Sequence, residues 1–533
     1  VKPFGTTARR ATAASLALTA CLATGLAAAF PATAATDPGR DRSPDAAPAT
    51  GLDRYYHQRL DWRSCVLGPD DKTGHALEKA GAQCADVTVP LDYTNPSGRT
   101  ITVAISRLKA TSTRHRIGAM LLNTGGPGGT GIDFAPDARK AMKETGARYD
   151  VIGMDPRFVG RSTPLDCGWP VGSAVLSSGT GRAGFDRQVA LHKGLAAECR
   201  ATNAALLPYV STRNTARDMD VIRGALGERK ISYLGYSYGT YLGTVYTQMF
   251  PGRYDRVVLD GVVDPRRYGP RLLQGTEEEN ERALADWAGW AAHRDEVYGL
   301  GRTRAQVLAT VDRVVAASAR RPLTLGTGSG TFRVDDTRVP TLILAGLADD
   351  TDQARARLAE EVSAMAAAAA GRTTELSPEI TEELRMFLTG KGSAYGSAQM
   401  AIICGDKSAP RDPERYWRDI ERNRAAHPLF GPVADNIGPC AFWGRPAEEP
   451  TRVRQDTPVL MVAATGDPRT DYEGTVALHG MLPSSKLITL KGANRHAVYG
   501  LYGNTCVDDQ VNAYLATGRL PATDRTCVKR STR

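Results

Sequence analysis

The chain has 533 residues, 42% of them hydrophobic and 23% charged, with a formal net charge of +9. That apolar content suffices for a sizeable core and excludes wholesale disorder, while the length exceeds one compact core of ordinary size. The charge is modest for the length and calls for no nucleic-acid partner, so one large domain with an insertion, or two domains, is expected.

Residues 1–34 carry Lys2, Arg9 and Arg10 and no acid, then the run ATAASLALTACLATGLAAAF and a small-residue end, PATAA. A basic start, an apolar middle and a cleavage site near Ala34 are the layout of a secretory signal peptide, so a secreted, extracellular protein is expected. LTAC, ending at Cys21, offers an alternative, a lipid-anchored protein, but the apolar run continues past that cysteine. No other stretch approaches the roughly 18 apolar residues that a span needs, so no stable membrane insertion is expected after signal removal. Residues 35–60 begin with ATDPGRDRSPDAAPAT, too rich in Pro, Ala and Asp to pack a core, and read as a flexible leader or propeptide, with order beginning near Asp61-Trp62.

From residue 61 short apolar or alternating runs recur between helical patterns: CADVTVPLDY, ITVAISRLKA, GAMLLN, YDVIGMD, ISYLGYS and DRVVLDGVV. Strands alternating with helices imply an α/β domain with a mostly parallel sheet covered on both faces. The first part of this core is assigned to residues 61–265. Helical patterns such as EEENERALADWAGWAAHRDEVYG and TRAQVLATVDRVVAASAR then dominate residues 266–450, which read as a helical lid inserted into the sheet domain. The strands PVLMVAATGD and KLITLKGA resume the core over residues 451–533.

Of nine cysteines, Cys21 lies in the signal, leaving Cys65, Cys84, Cys167, Cys199, Cys404, Cys440, Cys506 and Cys527. An even set in an exported chain implies disulfides, and pairing of sequential neighbours is the expectation. None has zinc spacing, and no HExxH or other metal-ligand cluster is present, so neither metal nor cofactor is expected.

The chemistry centres on KISYLGYSYGTYLGTVYTQMFP, which reads as strand, sharp turn and helix with Ser237 bracketed by Gly235 and Gly239. Such a turn is strained and close-packed, lifts a serine hydroxyl above the sheet and aims a helix N-terminus at it. A serine hydroxyl needs a base and an acid that holds the base, and in this architecture they follow in the order Ser, Asp or Glu, His. Asp467 stands just after one late strand and His496 in the loop after the next. Asp471 is the rival acid, four residues further on, and His479 in VALHGML reads as a helix-surface residue. AMLLNTGGPGGTG runs a strand into a glycine-rich loop, from which an N–H, that of Gly126, would join that of Tyr238 as an oxyanion hole. GPGG lacks both the Walker lysine and the dinucleotide spacing, which argues against a phosphate loop.

NTGGPGG, DPRFVGRS and GYSYG together resemble the proline-iminopeptidase branch of the α/β-hydrolases. NTARDMDVIRGALGERKISYLGYSYGTYLGTVY, the late TGDPRTDYEGTVALHG, RHAV and the C-terminal cysteines resemble the secreted tripeptidyl aminopeptidases of Streptomyces and their relatives. The resemblance implies the α/β-hydrolase fold, a catalytic triad of Ser237, Asp467 and His496, and release of short peptides from the free N-termini of peptides or proteins; separately, a monomer is expected. An esterase, or a mono- or dipeptidyl aminopeptidase, is the alternative. The chain departs from the family at Thr124, where proline is usual, at Phe158, where glycine is usual, and around His496, where Arg495 and Ala497 stand. An aminopeptidase must pair with a free ammonium, and Glu277, Glu278 and Asp406 are the acids considered for that role.

Overall fold

The computed structural model describes residues 51–529. The signal region, Cys21 and most of the leader lie outside them. Nine strands form the main sheet: β1 (Gln83–Pro90), β2 (Thr100–Leu108), β3 (Gly118–Asn123), β4 (Tyr149–Met154), β5 (Ile231–Tyr236), β6 (Tyr254–Asp260) and, after a hairpin of β7 (Leu323–Leu325) and β8 (Phe332–Val334), β9 (Leu460–Ala464), β10 (Lys486–Lys491) and β11 (Arg525–Val528). Their spatial order is β1-β2-β4-β3-β5-β6-β9-β10-β11; β2 runs antiparallel to both neighbours and every other pairing is parallel. β3, β5 and β9 are buried along their whole length, as sheet covered on both faces requires, which is why they read as unbroken apolar runs.

Adjacent strands β3, β5, β6, β9 and β10 point the same way, so the loops after them gather along one edge. Parallel sheets of this kind place their functional groups there, at the carboxyl ends of the strands. Thr124 begins the glycine loop after β3, Ser237 follows β5, Gly261 follows β6, Asp467 follows β9 and His496 follows β10.

The structure bears on three expectations about organisation. Residues 51–60 are not part of a loose leader: Asp53–Tyr56 is helical, Tyr55 is buried with its hydroxyl on the Pro96 carbonyl (2.6 Å), and the Tyr56 hydroxyl donates to Asp220 (2.7 Å). Two aromatic side chains close together supply the apolar area that the Pro/Ala/Asp-rich residues before them lack. Second, helices dominate the segment 266–450, and the β7–β8 hairpin is set among them. Third, it is not a separate lid throughout. Its own core gathers Leu284, Trp287, Val311, Ile343, Met365 and Phe430, but the helix Ser393–Asp406 buries Ala398, Ala401 and Ile402 in the core of the main sheet.

The disulfides pair sequential neighbours: Cys65–Cys84, Cys167–Cys199, Cys404–Cys440 and Cys506–Cys527, with separations of 19, 32, 36 and 21 residues. Loops of this size are worth about 3–4 kcal/mol each in the chain-entropy account. Among the described residues no helix is long and apolar enough to cross a membrane.

Candidate active site

Ser237 sits at the junction of β5 and the helix Tyr238–Met249 with φ 55° and ψ −125°. A non-glycine residue there is strained, and the surroundings hold it in place. A Cβ on Gly235 would come within 2.5 Å of the Gly239 carbonyl, and one on Gly239 within 2.8 Å of the Asn123 carbonyl, so both brackets must be glycine. The Ser237 N–H donates to the Asp260 carbonyl at the end of β6 (2.9 Å). The loop after β3 packs directly on this turn. A Cβ on Gly125 would lie 2.6 Å from the Tyr236 carbonyl oxygen, 2.9 Å from the Ser237 Cβ and 3.4 Å from the Tyr238 nitrogen. Gly126 follows at φ 110°, joined to Pro127 by a cis peptide bond. The hydroxyl of Thr124, the residue that departs from the family's proline, closes the loop on the Thr130 carbonyl (2.8 Å).

Asp467 is fully buried and faces His496, whose Nδ1 lies 3.0 and 2.9 Å from its two carboxylate oxygens. The N–H groups of Arg469 (2.8 Å) and Thr470 (3.0 Å) donate to Oδ1, and the Thr470 hydroxyl donates to Oδ2 (2.8 Å). These donors satisfy a buried carboxylate and fix its plane against the imidazole. Asp471, the rival acid, pairs instead with Arg267 (2.6 Å). His479 contacts Ser485 (2.6 Å) and Asp524 (3.1 Å) on a helix surface.

Two residues that pattern reading passed over support this arrangement. The Asp260 carboxylate, fully buried, accepts the N–H of Val498 (2.9 Å to Oδ2) and of Tyr499 (2.6 Å), while its own carbonyl holds Ser237. One residue thus ties the serine turn to the histidine loop. An acid ending an apolar strand, in VVLDG, was the available signal, the same one that singled out Asp467. Arg469 is half-buried beside Asp467, and its guanidinium donates to the Leu344 carbonyl, to Asn280 Oδ1 (3.2 Å) and to the Pro468 carbonyl (3.4 Å); desolvation lowers its pKa to about 10.

Burial pushes the Asp260 carboxyl up to about 7, against the pull of the Tyr499 and Val498 N–H groups. In the unfolded chain it titrates near its ordinary 3.8, so folding takes up a proton between these values. The stability held by neutral Asp260 is complete below the unfolded value and is lost as pH rises through about 7. Between about pH 4 and pH 8, urea unfolding is expected to show wild-type protein losing on the order of 2–4 kcal/mol relative to Asp260→Asn. Parallel pH dependence of the two proteins would contradict this.

The acids considered for the substrate ammonium are all engaged within the protein. Glu278 is exposed and pairs with Arg282 one turn on (3.3 Å). Glu277 is buried and accepts from the Gly275 N–H (2.6 Å) and Asn423 (2.9 Å), at the rim of a polar cleft of about 420 Å³ on the insertion whose lining excludes Ser237, Asp467 and His496. Asp406 takes the Thr212 N–H (2.7 Å), the Thr212 hydroxyl (2.5 Å) and the Tyr268 hydroxyl (2.9 Å), and burial pushes it up to about 6. Its link to the site runs through Thr212 to the Tyr238 hydroxyl (2.7 Å). Phe158, at the family's usual glycine, has φ 68° and is buried in the main core, so this chain accepts a strained backbone in exchange for aromatic packing. Arg495 is paired with Asp349 and donates to the Ala497 carbonyl (2.8 Å).

Two family models match the chain: one described as "alpha/beta hydrolase fold" over residues 118–295, and one described as "TAP-like protein" over residues 427–527. A tripeptidyl aminopeptidase of Streptomyces lividans is 36% identical over 491 residues, covering 89% of this chain and 87% of the relative. The serine protease Hip1 of Mycobacterium tuberculosis is 30% identical, covering 88% of this chain and 91% of its own. A protein of the same organism named carboxylesterase B is also 30% identical, over 87% of this chain and 89% of its own. With relatives this similar along nearly their whole length, on a mostly parallel nine-stranded sheet, the chain belongs to the tripeptidyl aminopeptidase family of α/β-hydrolases.

Proposed function

We propose that this protein is a secreted serine exopeptidase that releases short peptides, tripeptides foremost, from the free N-termini of peptides and proteins. The observation that carries the reading is the 2.9 Å contact between His496 Nδ1 and a fully buried Asp467, after β9 and β10 on the same sheet edge as the strained Ser237 turn after β5. Ser237 Oγ attacks the scissile carbonyl while His496 Nε2 takes its proton, and Asp467 accepts the Nδ1–H and stabilises the imidazolium. The N–H groups of Tyr238 and Gly126 receive the oxyanion. The proton passes from His496 to the leaving amine, and the ester left on Ser237 carries the N-terminal peptide. Water, giving a proton to His496, attacks that ester; the peptide acid departs and Ser237 regains its hydrogen. No cofactor enters the cycle, and a monomer suffices because every group belongs to one chain.

The relatives named tripeptidyl aminopeptidase and serine protease support the peptidase class, and four disulfides support an oxidising, extracellular location. A panel of chromogenic reporters one to four residues long, with the amine free or blocked, tests the specificity. The free tripeptidyl reporter is expected to exceed its blocked counterpart about 100-fold in kcat/KM, the value of one ammonium–carboxylate pair of about 2–3 kcal/mol. Equal cleavage of blocked reporters and simple esters would favour the esterase reading, to which the relative named carboxylesterase B gives some weight.

A further inference from the structure

We propose that Asp350, a residue of the insertion rather than of the hydrolase core, is a positioning residue for His496. The inference rests on the reading of His496 as the base. An imidazole on a loop has no rigid element of its own, and errors near 1 Å are costly in catalysis, so what grips the loop matters.

The grip comes from two sides. After His496, the N–H groups of Val498 and Tyr499 are held by Asp260 from the core. Before it, the holding groups come from the insertion. Asp350 Oδ2 accepts the Asn494 N–H (2.9 Å), the Ala348 carbonyl accepts the His496 N–H (2.9 Å), and Asp349 pairs with Arg495. Three consecutive insertion residues therefore contact three consecutive residues of the histidine loop. Asp350 is itself buried and held: the Tyr502 hydroxyl donates to Oδ1 (2.7 Å) and Lys529 Nζ to Oδ2 (2.5 Å). Lys529 is in turn fixed by its N–H on the Lys491 carbonyl (2.9 Å), at the end of the strand that leads to His496. Four residues before Ala348, the Leu344 carbonyl receives Arg469 from the Asp467 loop. The stretch 344–350 is thus a strap across both loops. At this edge the insertion is fastened to the catalytic groups and does not swing.

The charged groups facing His496 through these contacts are Asp467, Asp260, Arg469, Arg495, Asp349, Asp350 and Lys529. Loss of Asp350 should therefore change both the reach of the imidazole and the charge held around its loop. Asp350→Ala is expected to lower kcat about 10- to 100-fold per active site titrated with a fluorophosphonate, to leave KM within about 3-fold, and to displace the acid limb of the kcat/KM pH profile. Asp350→Asn, which retains an oxygen for the Asn494 N–H, should recover most of kcat. A purely structural role would lower the yield of titratable sites while leaving kcat per site and the pH profile at wild-type values, and that result overturns the proposal. If Asp350→Ala fails to fold, Lys529→Met carries the test: it keeps the acceptor but frees it, a several-fold fall in kcat per site is expected, and an unchanged kcat overturns the proposal. Failure of the serine reading is visible separately, as wild-type protein that takes up no fluorophosphonate, and it would overturn both.

Discussion

Ser237→Ala is expected to lower kcat/KM on an unblocked tripeptidyl reporter by at least about 10⁴-fold and toward 10⁶-fold, while circular dichroism and thermal unfolding stay close to wild type. Losing the nucleophile removes the acyl-enzyme route altogether, and only binding and oxyanion stabilisation remain. The fold should survive because alanine lacks only Oγ, whereas the turn is held by backbone contacts: the Ser237 N–H on Asp260 and the close approach of Gly235 to Gly239. Residual relief or cost at φ 55° belongs equally to both residues. Stopped activity together with lost fluorophosphonate labelling supports the assignment; a variant that still turns over the reporter within a factor of ten of wild type would sink it.

Asp467→Asn is expected to cost about 10⁴-fold in kcat with little change in KM. The amide is nearly isosteric, so the pocket should keep its shape. Its chemistry is reversed on one side, however. The carboxylate now takes donors from the Arg469 N–H, the Thr470 N–H and the Thr470 hydroxyl as well as from His496 Nδ1. The Arg469 and Thr470 N–H groups require an oxygen at the Oδ1 position, which puts the amide nitrogen of asparagine at the Oδ2 position facing His496 Nδ1, where it can only donate. The imidazole would then carry its proton on Nε2, the atom that must accept from Ser237. Single-turnover measurement across a pH series checks this, because the loss should persist at every pH where wild type is active. A loss below about 10-fold would mean that Asp467 is not the acid.

Much of the fold is legible without coordinates. GAMLLN, ISYLGYS and PVLMVAATGD are unbroken apolar runs because β3, β5 and β9 are buried on both faces, and a run of that length bounded by glycine or polar residues is a local signal. β11 gives no such signal. Three of its four residues are exposed, and it is a strand because it pairs with β10 and because Cys506–Cys527 anchors it. The hairpin strands β7 and β8 are three residues each, too short for a period to emerge. Helical periodicity in the insertion was readable as well, but not its division. Ser393–Asp406 is apolar nearly all round, which marks a buried helix without naming the core that buries it.

The same division runs through the site. Gly235 is a steric necessity within the five residues around Ser237, whereas Gly239 is required by Asn123 at the end of β3; the choice of Asp467 and His496 rests on strand ends that local pattern locates. The acids Glu277, Glu278 and Asp406 were drawn from composition and motif alone, and composition does not reveal that Arg282, Asn423, Thr212 and Tyr268 already occupy them.

The sequence by itself therefore determined the strand-turn-helix at Ser237, the run of buried strands and the order of the three side chains proposed as the triad, since each follows from sterics and periodicity among near neighbours. Tertiary structure decided which aspartate meets the histidine, which helices join which core and what holds the histidine loop. Those contacts join residues far apart in the chain, Asp260 to Val498 across 238 positions and Asp350 to Asn494 across 144. Pairing at such separations is set by how the whole chain buries its apolar area, and no local rule encodes it.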